Sequence, residues 1–96
     1  MARFIISPEA LNDLDEIWLF IAADNIPAAD RNEQLLRSAM DLIAGQPGIG
    51  HVRSDLTDQA VNFWPVRDYL IVYDPDKNPI EIVRVLHGFR DLADIL

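Results

Sequence analysis

The sequence predicts a single α+β domain with the element order β-α-α-β-β-β, and three observations predict it. A short β-branched and aromatic segment near the start is halted by Ser7-Pro8. Two stretches follow in which apolar residues recur at three- and four-residue steps. Three runs of strand composition, VNFWPV, YLIVYD and IEIVRVLH, then complete the order.

The segment Ala2 to Ile6 reads as the first strand. Ser7 is placed to accept a hydrogen bond from an otherwise unpaired amide, Pro8 suits the first helical position, and Glu9 complements the positive helix end. In the helix that follows, Leu11, Leu14, Ile17, Trp18, Ile21 and Ala22 form the apolar stripe. Asn12, Asp13, Asp15 and Glu16 are expected on the solvated side, with the helix ending near Asn25. Pro27 is expected to open a second helix whose buried stripe is Leu35, Leu36, Ala39, Met40, Leu42 and Ile43. Gly45, Pro47 and Gly48 stop it, and so short a break between two helices implies antiparallel packing. Gly45 to Ala60 has the composition of an irregular loop. The last three runs form a meander: Arg67-Asp68 makes one tight hairpin, and Pro75 to Pro79 makes the second. Pro65 belongs at a strand end or sheet edge. Both alternating sets of IEIVRVLH are largely apolar, so this strand is expected to be central and covered on both faces.

With 96 residues the chain holds one core, taken as one domain over 1–96. The absence of cysteine excludes a disulfide framework and thiolate chemistry. Sixteen acidic against eight basic residues, net -8, oppose a role built on holding a phosphate backbone. The charges are uneven: residues 1–48 carry three basic side chains, and Arg53, Arg67, Lys77, Arg84 and Arg90 lie beyond them. The longest apolar run, Ile17 to Ala23, falls far short of the roughly 20 residues that span a bilayer, and no leader pattern opens the chain. The expectation is a cytoplasmic protein without a membrane partner.

Phosphate-cradling motifs fail, because Gly45, Gly48 and Gly50 neither follow a strand nor open a helix. His51 and His87 lack ligand-spaced partners, and no serine sits in a nucleophile elbow, so neither a metal nor another cofactor is expected. One constellation stands out. Arg67, Tyr69, Tyr73, Arg84, His87 and Arg90 fall on or beside the last strands, where adjacency would gather cationic groups and an imidazole on one face or edge. Arg84 reads either as a contact residue or as a paired, partly buried arginine. His87 reads either as a general base or as a hydrogen-bonded structural histidine.

Taken together, Ser7-Pro8-Glu9-Ala10, the segment Asp13 to Trp18, Pro47 with Gly50, Tyr69 to Tyr73, and Ile82 to Gly88 resemble the ParE branch of the RelE/ParE superfamily of bacterial toxins. That resemblance implies a helical hairpin packed on a mainly antiparallel four-stranded sheet. It also implies the toxin of a type II toxin-antitoxin pair, neutralised in a hetero-oligomer by a ParD-like ribbon-helix-helix antitoxin. ParE-like toxins are associated with poisoning DNA gyrase, whereas RelE-like relatives cut messenger RNA on the ribosome, and one fold carries both. Arg67 and Arg84 match arginine positions of the RelE-type site, with His87 close to an acid or base position. Lys77, the only lysine, lies apart from them in a turn, and the net charge opposes ribosomal RNA. The expected function is therefore gyrase inhibition by protein-protein contact, without a catalytic residue and without direct DNA binding by the toxin alone. The alternatives are a ribosome-dependent ribonuclease using Arg67, Arg84 and His87, or a non-toxic antitoxin-binding module. Arg53, Arg67, Tyr69, Tyr73, Arg84, His87 and Arg90 are the partner-contact candidates. Arg84→Ala is expected to weaken toxicity more than the fold.

Overall fold

A computed structural model describes residues 3–88. The order is β1 (Phe4–Ile6), α1 (Pro8–Ala22), α2 (Ile26–Gly45), a 3-10 turn (Pro47–Ile49), β2 (Asn62–Val66), β3 (Tyr69–Asp74) and β4 (Ile80–His87). The sheet runs β1-β4-β3-β2, with β1 parallel to β4 and the other pairs antiparallel. The final helical turn expected over 91–96 lies outside the described residues.

Local chemistry sets the helix starts. The Ser7 hydroxyl accepts from the Ala10 amide at 3.0 Å and donates to the Val83 carbonyl at 2.8 Å, so one side chain caps α1 and ties it to β4. The first helix stops at Ala22 rather than near Asn25, because the Asn25 side chain accepts from the Ala28 amide and starts α2 at Ile26. Trp18 Nε1 donates to Asp30 across the helical hairpin at 2.9 Å.

The helices cover one face of the sheet. Ala10 and Leu14 of α1 and Leu36, Met40 and Ile43 of α2 pack on Ile71, Tyr73, Ile80, Ile82 and Val85. The opposite face buries Phe63, Val72 and Leu86 with Val61, against Leu56 of the connection before β2. β4 is thus central and covered on both faces. A bulge alters its alternation: Val72 pairs with Arg84 and Tyr73 with Ile82, so Val83 is the extra residue. Ile80, Ile82 and Val85 therefore share the helix-facing core, while Val83 and Leu86 pack on the other side.

Part of the stretch expected as an irregular loop is ordered by two contacts. His51 and Phe63 exchange backbone hydrogen bonds of 2.8 Å, which covers some of the outer edge of β2. The buried Tyr73 hydroxyl donates to the Pro47 carbonyl at 2.6 Å and accepts from the Gly50 amide at 2.9 Å. A Cβ on Gly50 would lie 2.5 Å from that hydroxyl oxygen, which explains why glycine stands there. Tyr73→Phe would leave both backbone groups without their partner, and we expect a loss of about 1–3 kcal/mol in urea unfolding. A change below about 0.5 kcal/mol would show that water replaces the hydroxyl.

Candidate functional site

Three clefts meet around the tip of the β2–β3 hairpin. Arg67 and Asp68 form a two-residue turn closed by the Val66–Tyr69 pair, and Tyr69 pairs in turn with His87 at the end of β4. Arg67 has φ +55°, in the left-handed region that glycine or asparagine fills at lower cost. The right-handed twist of a tight hairpin demands such a conformation, and the sequence supplies an arginine for it.

The first cleft, about 360 Å³, is lined by Arg53, Arg67, Tyr69, Leu70, His87 and Gly88, among others. Four sequence candidates, Arg53, Arg67, Tyr69 and His87, are therefore brought together. Tyr69 and His87 meet edge to face, with ring centroids 5.2 Å apart. Gly88, at φ +24°, is tight against the turn: a Cβ there would lie 3.0 Å from the Asp68 carbonyl oxygen. Arg53 donates through Nε and a terminal nitrogen to the two Asp55 oxygens at 3.0 and 2.8 Å. That hydrogen bonding holds the Arg53 guanidinium above its ordinary pKa and the Asp55 carboxyl below its own. Both side chains are well exposed, so the pair compensates charge more than it stabilises the fold. Arg67 is exposed and makes no ion pair among the described residues.

The same Tyr69 and His87 wall off a smaller cleft, about 80 Å³, on the side of Asp13, Glu16, Ile17 and Phe20. The third, about 580 Å³, runs from Ile21 along α2 past Arg31, Asn32, Leu35 and Ser38 to Arg67.

The other candidates lie elsewhere. Tyr73 is fully buried, and its hydroxyl already holds the segment after α2, so it presents nothing to a partner. Arg90 lies outside the described residues. Arg84 takes the paired reading: its Nε and a terminal nitrogen donate to the two Asp13 oxygens at 2.7 and 3.0 Å. Asp13, expected on the solvated side of α1, is buried instead and also accepts from the Val85 amide at 2.9 Å. The reason is the length of β1. Pairing with β4 stops at Ile82, and Ser7 and Asp13 then satisfy the Val83 carbonyl and Val85 amide that a longer strand would have taken. Helical spacing carries a signal for Asp13, since it stands three residues after Ala10 and four before Ile17 on the buried face of α1, but a stripe begun at Leu11, which is exposed, leaves it out. Arg31 carries no sequence signal, since only the packing of α2 beside the hairpin tip places it opposite Arg67.

Among the described residues no three His, Asp or Glu side chains gather to hold a metal ion. Nor is any helix among them long and apolar enough to cross a membrane.

Residues 4–92 match the sequence profile of the family described as "ParE toxin of type II toxin-antitoxin system, parDE". Among solved structures, the chain is similar to one titled "Chromosomal ParDE TA system from P. aeruginosa". The two share 15% identity with a TM-score of 0.74 over 88% of this chain and 94% of that one, a likeness of fold. No curated protein matches the sequence.

Proposed function

The chain belongs to the ParE toxin family of type II toxin-antitoxin systems, and from that premise we propose that it inhibits DNA gyrase by protein-protein contact in the cytoplasm and is neutralised by a ParD-like antitoxin. The observation that carries the non-catalytic reading is the bidentate Arg84–Asp13 pair. A guanidinium whose charge a buried carboxylate already compensates is a poor clamp for a scissile phosphate, which needs uncompensated cations aimed at the developing charge. Net charge -8 also repels ribosomal RNA and DNA, so the toxin alone binds neither. Contact with a protein is favoured by apolar surface at the corner of the helical hairpin, where Leu19, Phe20 and Ile26 are each more than half exposed. The exposed Arg67 guanidinium at the hairpin tip adds charge selectivity to that surface. In the antitoxin complex the same features serve a hetero-oligomer.

One observation favours the ribonuclease alternative: Arg67 and His87 do line a common cleft. Two assays run side by side decide between them. With purified gyrase, the toxin is expected to reduce supercoiling and accumulate cleaved DNA, and adding the antitoxin restores supercoiling. With programmed ribosomes, messenger RNA is expected to stay intact. Unaltered supercoiling together with ribosome-dependent cleavage would overturn the proposal. Two blank assays alongside tight antitoxin binding would make the chain a binding module.

A further inference from the structure

We propose that the groove between α2 and the β2–β3 turn is a receptor for an acidic protein segment, one that presents an aspartate or glutamate beside an aliphatic side chain. This deepens the proposed function, on which it rests for its biological use, by naming the chemistry of the partner surface.

Six arginines lie among the described residues, and Arg37, Arg53 and Arg84 are paired within the chain with Glu33, Asp55 and Asp13. Arg3, Arg31 and Arg67 are in no ion pair among the described residues, although acidic side chains outnumber basic ones two to one, and the last two line this groove. Two guanidinium groups offer donors only. Together in one groove they favour a ligand that brings acceptors and negative charge.

The groove's size and its apolar side select the kind of anion. At about 580 Å³ it has the volume of several side chains, and Ile21, Ala28 and Leu35 form an apolar flank beside the charges. A planar guanidinium matches a carboxylate through two parallel hydrogen bonds, while the flank accepts an aliphatic neighbour one turn away on a helical segment. A nucleic acid would bring phosphates as well. It would also bring a polyanion up to a chain of net charge -8 and leave the apolar flank unmatched.

The test is a selection from a random peptide library displayed on phage, panned on the purified full chain. Enriched peptides are expected to carry Asp or Glu within one turn of Leu, Ile or Val. Their affinity is expected to fall about tenfold or more for Arg31→Ala and for Arg67→Gly, in line with the loss of one charge-assisted hydrogen-bonded contact. Arg31→Lys, keeping charge but not the fork, should recover part of it. Circular dichroism checks that each variant is folded. Enriched peptides without acidic residues, or peptides indifferent to both replacements, overturn the assignment. So does binding of a DNA or RNA oligonucleotide that the same replacements abolish, since the groove would then serve phosphate. The supercoiling assay is read separately. Acidic-peptide binding with a blank gyrase result supports the groove and removes gyrase as the target; gyrase inhibition unaltered by either replacement leaves that target standing and removes the groove from it.

Discussion

Replacing Arg67 with glycine is expected to stabilise the domain while reducing gyrase inhibition about tenfold or more. Two effects of opposite sign meet at this position. At φ +55° an L-residue with a side chain carries a steric cost of about 1–2 kcal/mol that glycine lacks, partly offset by the freedom glycine adds to the unfolded chain. The net is a few tenths to about 1 kcal/mol, or up to about 6 °C in Tm for a domain of this size. The guanidinium, by contrast, borders both the 360 Å³ cleft and the 580 Å³ groove, and among the described residues it has no ion-pair partner that its removal would orphan. Its deletion therefore subtracts from recognition alone, where a charge-assisted hydrogen bond is worth about 1.5–3 kcal/mol. Thermal unfolding and a supercoiling titration on one preparation measure both effects. A variant that is destabilised and still fully inhibitory would reverse the assignment and make Arg67 a structural residue.

Asp13→Ala is expected to damage the fold more than the replacement of Tyr73, Arg67 or Arg84. The carboxylate accepts three hydrogen bonds, two from Arg84 and one from the Val85 amide, and its side chain is only 10% exposed. Removing it leaves the Val85 amide without its acceptor and takes the Asp13 carboxylate away from the Arg84 guanidinium. The Arg84 side chain is 35% exposed, so water recovers part of that loss. The expected cost is about 2–4 kcal/mol, which lowers Tm by about 10–25 °C. Arg84→Ala should cost less, about 1–2 kcal/mol, because the Val85 amide keeps its acceptor. The sequence alone sets the expectation that Arg84→Ala harms toxicity more than the fold; the pair with Asp13 adds a folding loss to be subtracted before toxicity is compared. Paired Tm measurements check the ranking, and an Asp13→Ala protein within about 0.5 kcal/mol of the parent would refute the role given to this carboxylate.

The fold was largely legible because its signals are local. Ser7-Pro8 announces a helix start whether or not the sheet is known, and the capping bond to Ala10 follows. The runs YLIVYD and IEIVRVLH begin and end where β3 and β4 do, since turn residues bound them on each side. Pro65 lies on β2, the edge strand of the sheet, as a residue without an amide must. The site was legible only in part. Arg67, Tyr69 and His87 fall together because hairpin pairing carries sequence register into space. Tyr73, on the same strand and the same face as the buried Ile71, has the composition of a contact residue but belongs to the core. A partner such as Pro47, 26 residues away, leaves no mark in a linear pattern.

What the sequence determined by itself was the set of elements, their order and their family, since each depends on periodicity, caps and turns within a few residues. Tertiary structure alone decided which charges are engaged and which are available. Asp13 and Arg84 are 71 residues apart, and they meet only because the pairing of β1 ends at Ile82 and leaves the edge of β4 for α1 to complete. Arg31 and Arg67 stay unpaired among the described residues for the complementary reason: packing brings α2 beside the hairpin tip, and no carboxylate among those residues pairs with either arginine. Coulomb attraction depends on distance in space, and distance in space between remote residues is a property of the packed chain.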